Sequence, residues 1–178
     1  LSVVCEEREG EVRREVSPFI FTPESTRKLY SVASQFPVLF GKPLNSIEDF
    51  LIRFFWYTDD GLPHLRGPVW IVDDFVGIFY LTDLKEDEAT AHFAFFDKKF
   101  WGRHKLVKAM VRHTFQSYGY RRLNVVIPSY AGKKVFKFVS DLGFTLEGRK
   151  REDAFYKGSW FDSNLYGILR SEVLKDGS

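Results

Sequence analysis

Between Lys98 and Arg151 the chain carries 14 Lys and Arg against 2 Asp and Glu; residues 1–97 carry 9 against 17, and residues 152–178 carry 3 against 5. The net charge of +2 therefore conceals segments of −8, +12 and −2. The chemistry that such a basic block offers is anion binding, to a phosphate-bearing cofactor or to a nucleic acid. A solvated basic face balancing an acidic one is the plain alternative. Asp59-Asp60, Asp73-Asp74 and Glu86-Asp87-Glu88 bring carboxylates together, but their spacing matches no calcium loop, and they read as polar turns. No phosphate loop, nucleophile elbow or His-Glu-x-x-His helix occurs. The single cysteine, Cys5, rules out an internal disulfide, a cysteine zinc site and a paired redox motif, and points to a reducing, cytoplasmic compartment.

These groups need a frame. With 44% apolar and 17% aromatic residues, the chain reads as one domain over residues 1–178, able to fill a core without staples. No run approaches the roughly 20 apolar residues of a membrane span, and residues 1–8 lack the basic start and apolar run of a signal peptide. Residues 2–8 and 11–16 flank Glu9-Gly10 as a hairpin. Thr22-Pro23 opens a helix, cap then first turn, with Leu29, Val32, Ala33 and Phe36 at helical spacing. Asn45-Ser46 opens a second, whose apolar face runs Ile47, Phe50, Leu51, Phe54 and Phe55 up to Asp59-Asp60-Gly61. Strands are expected at 68–72, 75–81 and 90–96, then a helix over 103–118 closed by Gly119. A buried strand at 123–127, a helix from Lys133 to Leu142 stopped by Gly143, and two strands near 151–157 and 160–169 complete the chain. This order predicts an α/β fold with a mixed, mostly antiparallel central sheet flanked by helices.

Three patterns resemble the GCN5-related N-acetyltransferases, and most closely the branch that acetylates ribosomal-protein N-termini. They are Val76-Gly77 before an apolar strand; Phe95-Phe96-Asp97-Lys98-Lys99-Phe100-Trp101-Gly102; and Gly143-Phe144 followed by Glu147-Gly148 and Arg151, which is similar to a Gly-Phe-x-x-Glu-Gly-x-x-Arg signature. Lys157-Gly158, Trp160, Asp162, Tyr166 and Leu169 continue the likeness, which spans about residues 70–172. The resemblance implies acetyl-CoA as cofactor, with the segment 101–106 wrapping its pyrophosphate at a helix start, where unsatisfied N–H groups and the dipole favour an anion. It assigns cofactor contacts to Trp101, Gly102, Arg103, His104, Lys105, Leu106 and Lys108, led by Arg103 and Lys105, and thioester positioning to the backbone beside Phe95 and Phe96.

The chain also departs from that pattern. His104 and Leu106 stand where the family's loop carries small residues, and a side chain there obstructs close backbone approach to phosphates. Positions where relatives carry a strand Glu, an Asn, a Ser or a Tyr hold Ala91, Gly132, Val135 and Val139. The substitutes for proton handling are His92, Ser129 and Tyr130; their ordinary readings are a strand residue facing away from position 91 and two turn residues. His64 and His113 read as loop and helix-surface residues.

Three functions follow in order. The first is transfer of acetyl from acetyl-CoA to a primary amine of a protein or small molecule. The second is a catalytically degenerate acetyltransferase fold, a pseudoenzyme acting as a structural or protein-binding module in a bacterial or viral assembly, within a viral particle in the latter case. The third is nucleic-acid binding, through the basic residues interleaved with aromatic ones at 100–103 and 118–122. The sequence does not set the oligomeric state, and no metal is called for.

Overall fold

The computed structural model describes residues 3–5, 14–36, 45–97 and 103–174. They belong to two units, Leu1–Leu84 with His92–Phe100, and Lys85–Ala91 with Trp101–Ser178.

The first unit holds β1 (Val3–Cys5), β2 (Arg14–Pro18), α1 (Pro23–Ala33), α2 (Ile47–Leu51), β3 (Phe55–Tyr57), β4 (Pro63–Leu65), β5 (Val69–Val72), β6 (Gly77–Thr82) and the end of β7 (Glu88–Phe95). Its strands run in the order β1-β2-β5-β6-β7, with β1–β2, β2–β5 and β5–β6 antiparallel. Val3 pairs with Val16, as the hairpin reading requires; its turn lies outside the described residues. Thr22 caps α1 with Pro23 in the first turn, its hydroxyl accepting from the Ser25 N–H at 3.1 Å while the Ser25 hydroxyl accepts from the Thr22 N–H at 2.9 Å. Thr22→Ala removes one arm of this reciprocal cap. It is expected to cost about 1 kcal/mol of stability in thermal or urea unfolding.

The second expected helix is shorter than its apolar periodicity suggests. Ser46 caps α2 as read, accepting from Asp49 N–H at 3.1 Å, but the helix ends at Leu51. Phe55, Trp56 and Tyr57 then pair antiparallel with Leu65, His64 and Pro63. Three consecutive aromatics favour a strand, and Gly61, at φ +80, closes the hairpin turn around Asp59-Asp60. Helical period and hairpin both bury Phe54 (1% exposed), which is why spacing alone did not separate them. The core of this unit joins Leu29 and Ala33 of α1, Phe50 and Phe54 with the alternate strand residues Val69, Ile71, Ile78, Tyr80, Ala94 and Phe96. Phe54 is its aromatic hub, with ring centroids 4.9 Å from Phe50, 5.1 Å from Tyr80 and 5.5 Å from Phe21.

The second unit holds the start of β7, α3 (His104–Tyr118), β8 (Arg122–Pro128), a single 3-10 turn at Ser129–Ala131, α4 (Lys133–Asp141), β9 (Thr145–Tyr156), β10 (Ser159–Leu169) and α5 (Arg170–Val173). Strand order is β7-β8-β10-β9. Glu88, Ala89 and Thr90 pair in parallel with Arg122, Leu123 and Asn124, while β10 is antiparallel to both neighbours. A parallel pair needs a crossover, and α3 supplies it. The fold is thus mixed α/β with a mostly antiparallel sheet flanked by helices. Gly119 ends α3 at φ +70 and Gly143 follows α4 at φ +104, as expected of left-handed helix stops.

Two features of this unit were not read. β9 begins at Thr145 rather than near 151, so the Gly143–Arg151 signature is mostly strand, and α5 follows β10. The signature now has a physical content. Gly143 takes the positive φ, Phe144 is buried, and the Glu147 carboxylate forms a two-point ion pair with the Arg122 guanidinium, one contact at 2.9 Å. Arg122 also donates to Asn124 Oδ1 at 2.6 Å. A Cβ on Gly167 would clash with the Arg122 and Glu147 side chains, so the pair lies over a bare glycine. Arg122→Met is expected to cost about 1–2 kcal/mol in urea unfolding.

Candidate functional site

In the first unit, alternation along β6 and β7 sets the face. Ala91, the last β7 residue of the second unit, is buried at 1% exposure, and His92, the next residue and the first of β7 in this unit, stands on the opposite face of the strand, with its ring stacked on Tyr80 at 4.5 Å and 8°. His92 Nε2 lies 2.8 Å from Thr82 Oγ1, and the same hydroxyl lies 3.1 Å from Asp83 Oδ2. Burial, reinforced by the charge of Arg53 and opposed by that of Asp83, holds the imidazole down at about 4. The ring is therefore neutral at physiological pH. Burial likewise pushes the Tyr80 phenol up to about 12, so it stays protonated. Thr82 and Asp83 were not singled out in the sequence. The signal available was the period-two series Ile78, Tyr80, Thr82 facing His92, Ala94, Phe96, which becomes informative once β6 and β7 are neighbours.

At the end of β7, Phe95 and Phe96 are buried, and Phe96 is a member of the unit's core. The Phe96 N–H donates to the Val76 carbonyl at 2.8 Å. This backbone donor is thus engaged within the protein. The same geometry explains Val76-Gly77, since a Cβ on Gly77 would lie 2.8 Å from the Phe95 ring and 2.9 Å from the Ala94 carbonyl.

In the second unit, α3 starts with Arg103 at the N-cap, without a side-chain cap, and has no acidic residue in its first turn. Its first ladder bond runs from Val107 N–H to the Arg103 carbonyl at 3.3 Å, so the helix ladder provides no acceptor for the N–H groups of His104, Lys105 and Leu106. Lys105 and Lys108 are exposed. Cations at the positive end of a helix are unfavourable unless an anion joins them. The Leu106 side chain is buried at 4% exposure, as its helical spacing also implied, so only its backbone belongs to the helix start. The His104 ring packs against Phe138 of α4 at 4.5 Å, with Nε2 3.5 Å from Asp141 Oδ2. Asp141 is held below the usual carboxylate range by the hydrogen bond from Lys137, then by the charges of Lys137, His104 and Lys108, against desolvation. Trp101 and Gly102 lie outside the described residues.

Ser129 and Tyr130 occupy the 3-10 turn after β8. Tyr130 stacks on Tyr156 at 4.5 Å and meets Phe161 edge-on at 5.3 Å. Val139 is fully buried, which accounts for an aliphatic side chain there. His64 stacks on Trp56 at 4.7 Å, and His113 lies beside Ser117 on α3. Asp60 accepts from Thr58 and from the Leu62 N–H in its turn, and Asp74 pairs with Lys28 at 2.5 Å. Among the described residues no group of three or more His, Cys, Asp or Glu is placed to hold a metal ion, and no helix is long and apolar enough to cross a membrane.

A family model for the acetyltransferase (GNAT) domain matches residues 71–165, more than half of the chain. The chain belongs to the GNAT acetyltransferase family. Solved acetyltransferase structures match it over nearly their whole length. One is a spermidine N-acetyltransferase from Vibrio cholerae in complex with CoA and spermine, at 14% identity and TM-score 0.70, covering 89% of this chain and 97% of that one. Another is a ribosomal-protein-S5-alanine acetyltransferase from Vibrio fischeri, at 15% identity and TM-score 0.67, covering 94% and 96%. A dodecameric form of the Vibrio cholerae spermidine enzyme matches at 15% identity and TM-score 0.66, covering 92% and 98%. No curated protein matches the sequence. At these identities the likeness is one of fold.

Proposed function

We propose that this GNAT domain is an acetyl-CoA-dependent N-acetyltransferase whose acceptor is a primary amine of a protein or small molecule. The observation that carries the reading is the start of α3. Its exposed lysines stand at a positive helix end with free ladder donors and no side-chain cap, an arrangement that suits a diphosphate. The burial of Leu106 and the packing of His104 on Phe138 leave that reading intact. Acetyl-CoA, when bound, supplies the activated acyl group. In this reading Arg103, Lys105, Lys108 and the backbone of residues 104–106 would hold its phosphates. The fold neighbours named for spermidine and for a ribosomal-protein alanine both take amine acceptors, which supports the acceptor class.

His92 is the proton acceptor in this reading. It is neutral at physiological pH, partly exposed, hydrogen-bonded to Thr82 and stacked on Tyr80, contacts that fix its ring. Ser129 and Tyr130 are the secondary candidates, as hydroxyl donors in the second unit. We place the protein in the cytoplasm on its single cysteine. Calorimetric titration with acetyl-CoA tests the reading, with saturable binding expected in the micromolar range. Absence of heat at millimolar acetyl-CoA would overturn it and leave the degenerate module as the better account.

A further inference from the structure

We propose that Thr82 and Asp83 are positioning residues that lock His92 in the tautomer protonated on Nε2 and leave Nδ1 as the atom that takes the acceptor's proton. The inference rests on the acetyltransferase reading and adds to it the atom that acts and the groups that prepare it.

The number of hydrogens fixes the direction of each bond. Thr82 has one hydroxyl hydrogen and two contacts, with Asp83 Oδ2 at 3.1 Å and His92 Nε2 at 2.8 Å. An ionised carboxylate only accepts, so the hydroxyl hydrogen goes to Asp83. The Thr82 oxygen then presents a lone pair to Nε2, and the contact is a hydrogen bond only if Nε2 carries the proton. A neutral imidazole has one N–H, so Nδ1 carries the lone pair. Among the described residues Nδ1 has no hydrogen-bond partner of its own. The stack on Tyr80 fixes the plane of the ring.

The chain Asp83–Thr82–His92 also compensates charge. The step is a proton transfer alone: an N–H bond of the acceptor breaks and an Nδ1–H bond forms, with no further reactant. The imidazolium so formed strengthens the Nε2–H bond to Thr82, and the Asp83 carboxylate beyond it lies on the favourable side of the ring. The charged and titratable groups facing His92 are Asp83, which favours the imidazolium, Arg53 near the end of α2, which opposes it, and the Tyr80 phenol, which stays protonated. Asp83 takes φ +50, a region in which aspartate and asparagine are the tolerated side chains, so Asp83→Asn removes the charge while respecting the backbone.

The test combines imidazole NMR with kinetics on the full chain. Long-range proton–nitrogen correlation of the 15N-labelled protein resolves four histidines, with His92 assigned through His92→Gln. A neutral His92 protonated on Nε2 is expected from about pH 5 to 8. In Thr82→Val the two tautomers should mix and kcat for amine acetylation should fall roughly ten- to a hundred-fold with KM for acetyl-CoA unchanged, whereas Thr82→Ser should keep the tautomer and most of the rate. Asp83→Asn should lower kcat and shift the acidic limb of its pH profile downwards. A wild-type His92 protonated on Nδ1, or a Thr82→Val enzyme with unchanged tautomer and rate, would overturn the proposal. A locked Nε2–H tautomer in a protein that acetylates no amine would uphold the hydrogen-bond chain and count against the reading it serves.

Discussion

Replacing His92 with glutamine is expected to lower the rate of amine acetylation by about 10²–10⁴-fold, the span typical of a lost general base, and at the same time to make the protein less sensitive to acid. The two effects share a cause. Burial, with the charge of Arg53, holds the His92 imidazole down at about 4 in the folded chain, while in the unfolded chain it titrates near its ordinary value of about 6.5. Between those values the unfolded chain binds a proton that the folded chain refuses. Stability contributed by the neutral ring is therefore complete above about pH 6.5 and is lost progressively as pH falls towards 4, by on the order of 2–3 kcal/mol. His113 is lowered in the same direction, mainly by burial, so the wild-type curve alone does not isolate His92. The difference between wild type and His92→Gln does. Urea unfolding at about pH 7 and pH 4.5 should show the variant losing less on acidification, and parallel losses in the two proteins would contradict the assignment.

Reversing both lysines at the start of α3, Lys105→Glu with Lys108→Glu, is expected to raise the Kd for acetyl-CoA by about 10–100-fold at low salt, less as salt screens the site. Stability should move the opposite way. A glutamate at position 105, in the first turn, complements the helix dipole that the lysine opposes and is worth about 0.3–1 kcal/mol, offset in part by the approach of Lys108→Glu, one turn further on, to Asp141. A variant that binds far more weakly while melting no lower would separate a ligand role from a packing role. Lys28→Glu, which reverses a cation paired with Asp74, serves as the control and should leave acetyl-CoA affinity within about twofold. Equal weakening in the control would reduce the effect to net charge.

What the sequence disclosed was mostly local. Thr22, Pro23 and Ser46 announce helix starts through backbone geometry and hydroxyl chemistry, and Gly119 and Gly143 announce helix stops through their positive φ. The basic start of α3 was legible for the same reason, being one contiguous stretch of chain. Leu106 was readable in two ways, as a core residue by its helical spacing and as an obstruction by its place in the family loop, and the packing of α3 favours the first. The strand register was not legible. Ile47, Phe50, Leu51, Phe54 and Phe55 keep helical period across a boundary where the chain turns into the β3–β4 hairpin, because a buried phenylalanine serves either arrangement. The partners of His92 became visible only when β6 lay beside β7, placing Thr82 and Tyr80 opposite a residue ten or more positions away. The Glu147–Arg122 pair likewise joins two strands far apart in sequence.

Acetyl transfer itself is the most direct test of the account. The purified full chain, incubated with acetyl-CoA and either spermidine or a peptide with a free N-terminal alanine, should yield the acetylated amine by mass spectrometry together with an equal amount of free CoA thiol, and His92→Gln should remove most of both. Acetyl-CoA remaining intact with every amine at saturating concentration, in a protein shown to be folded, would contradict it.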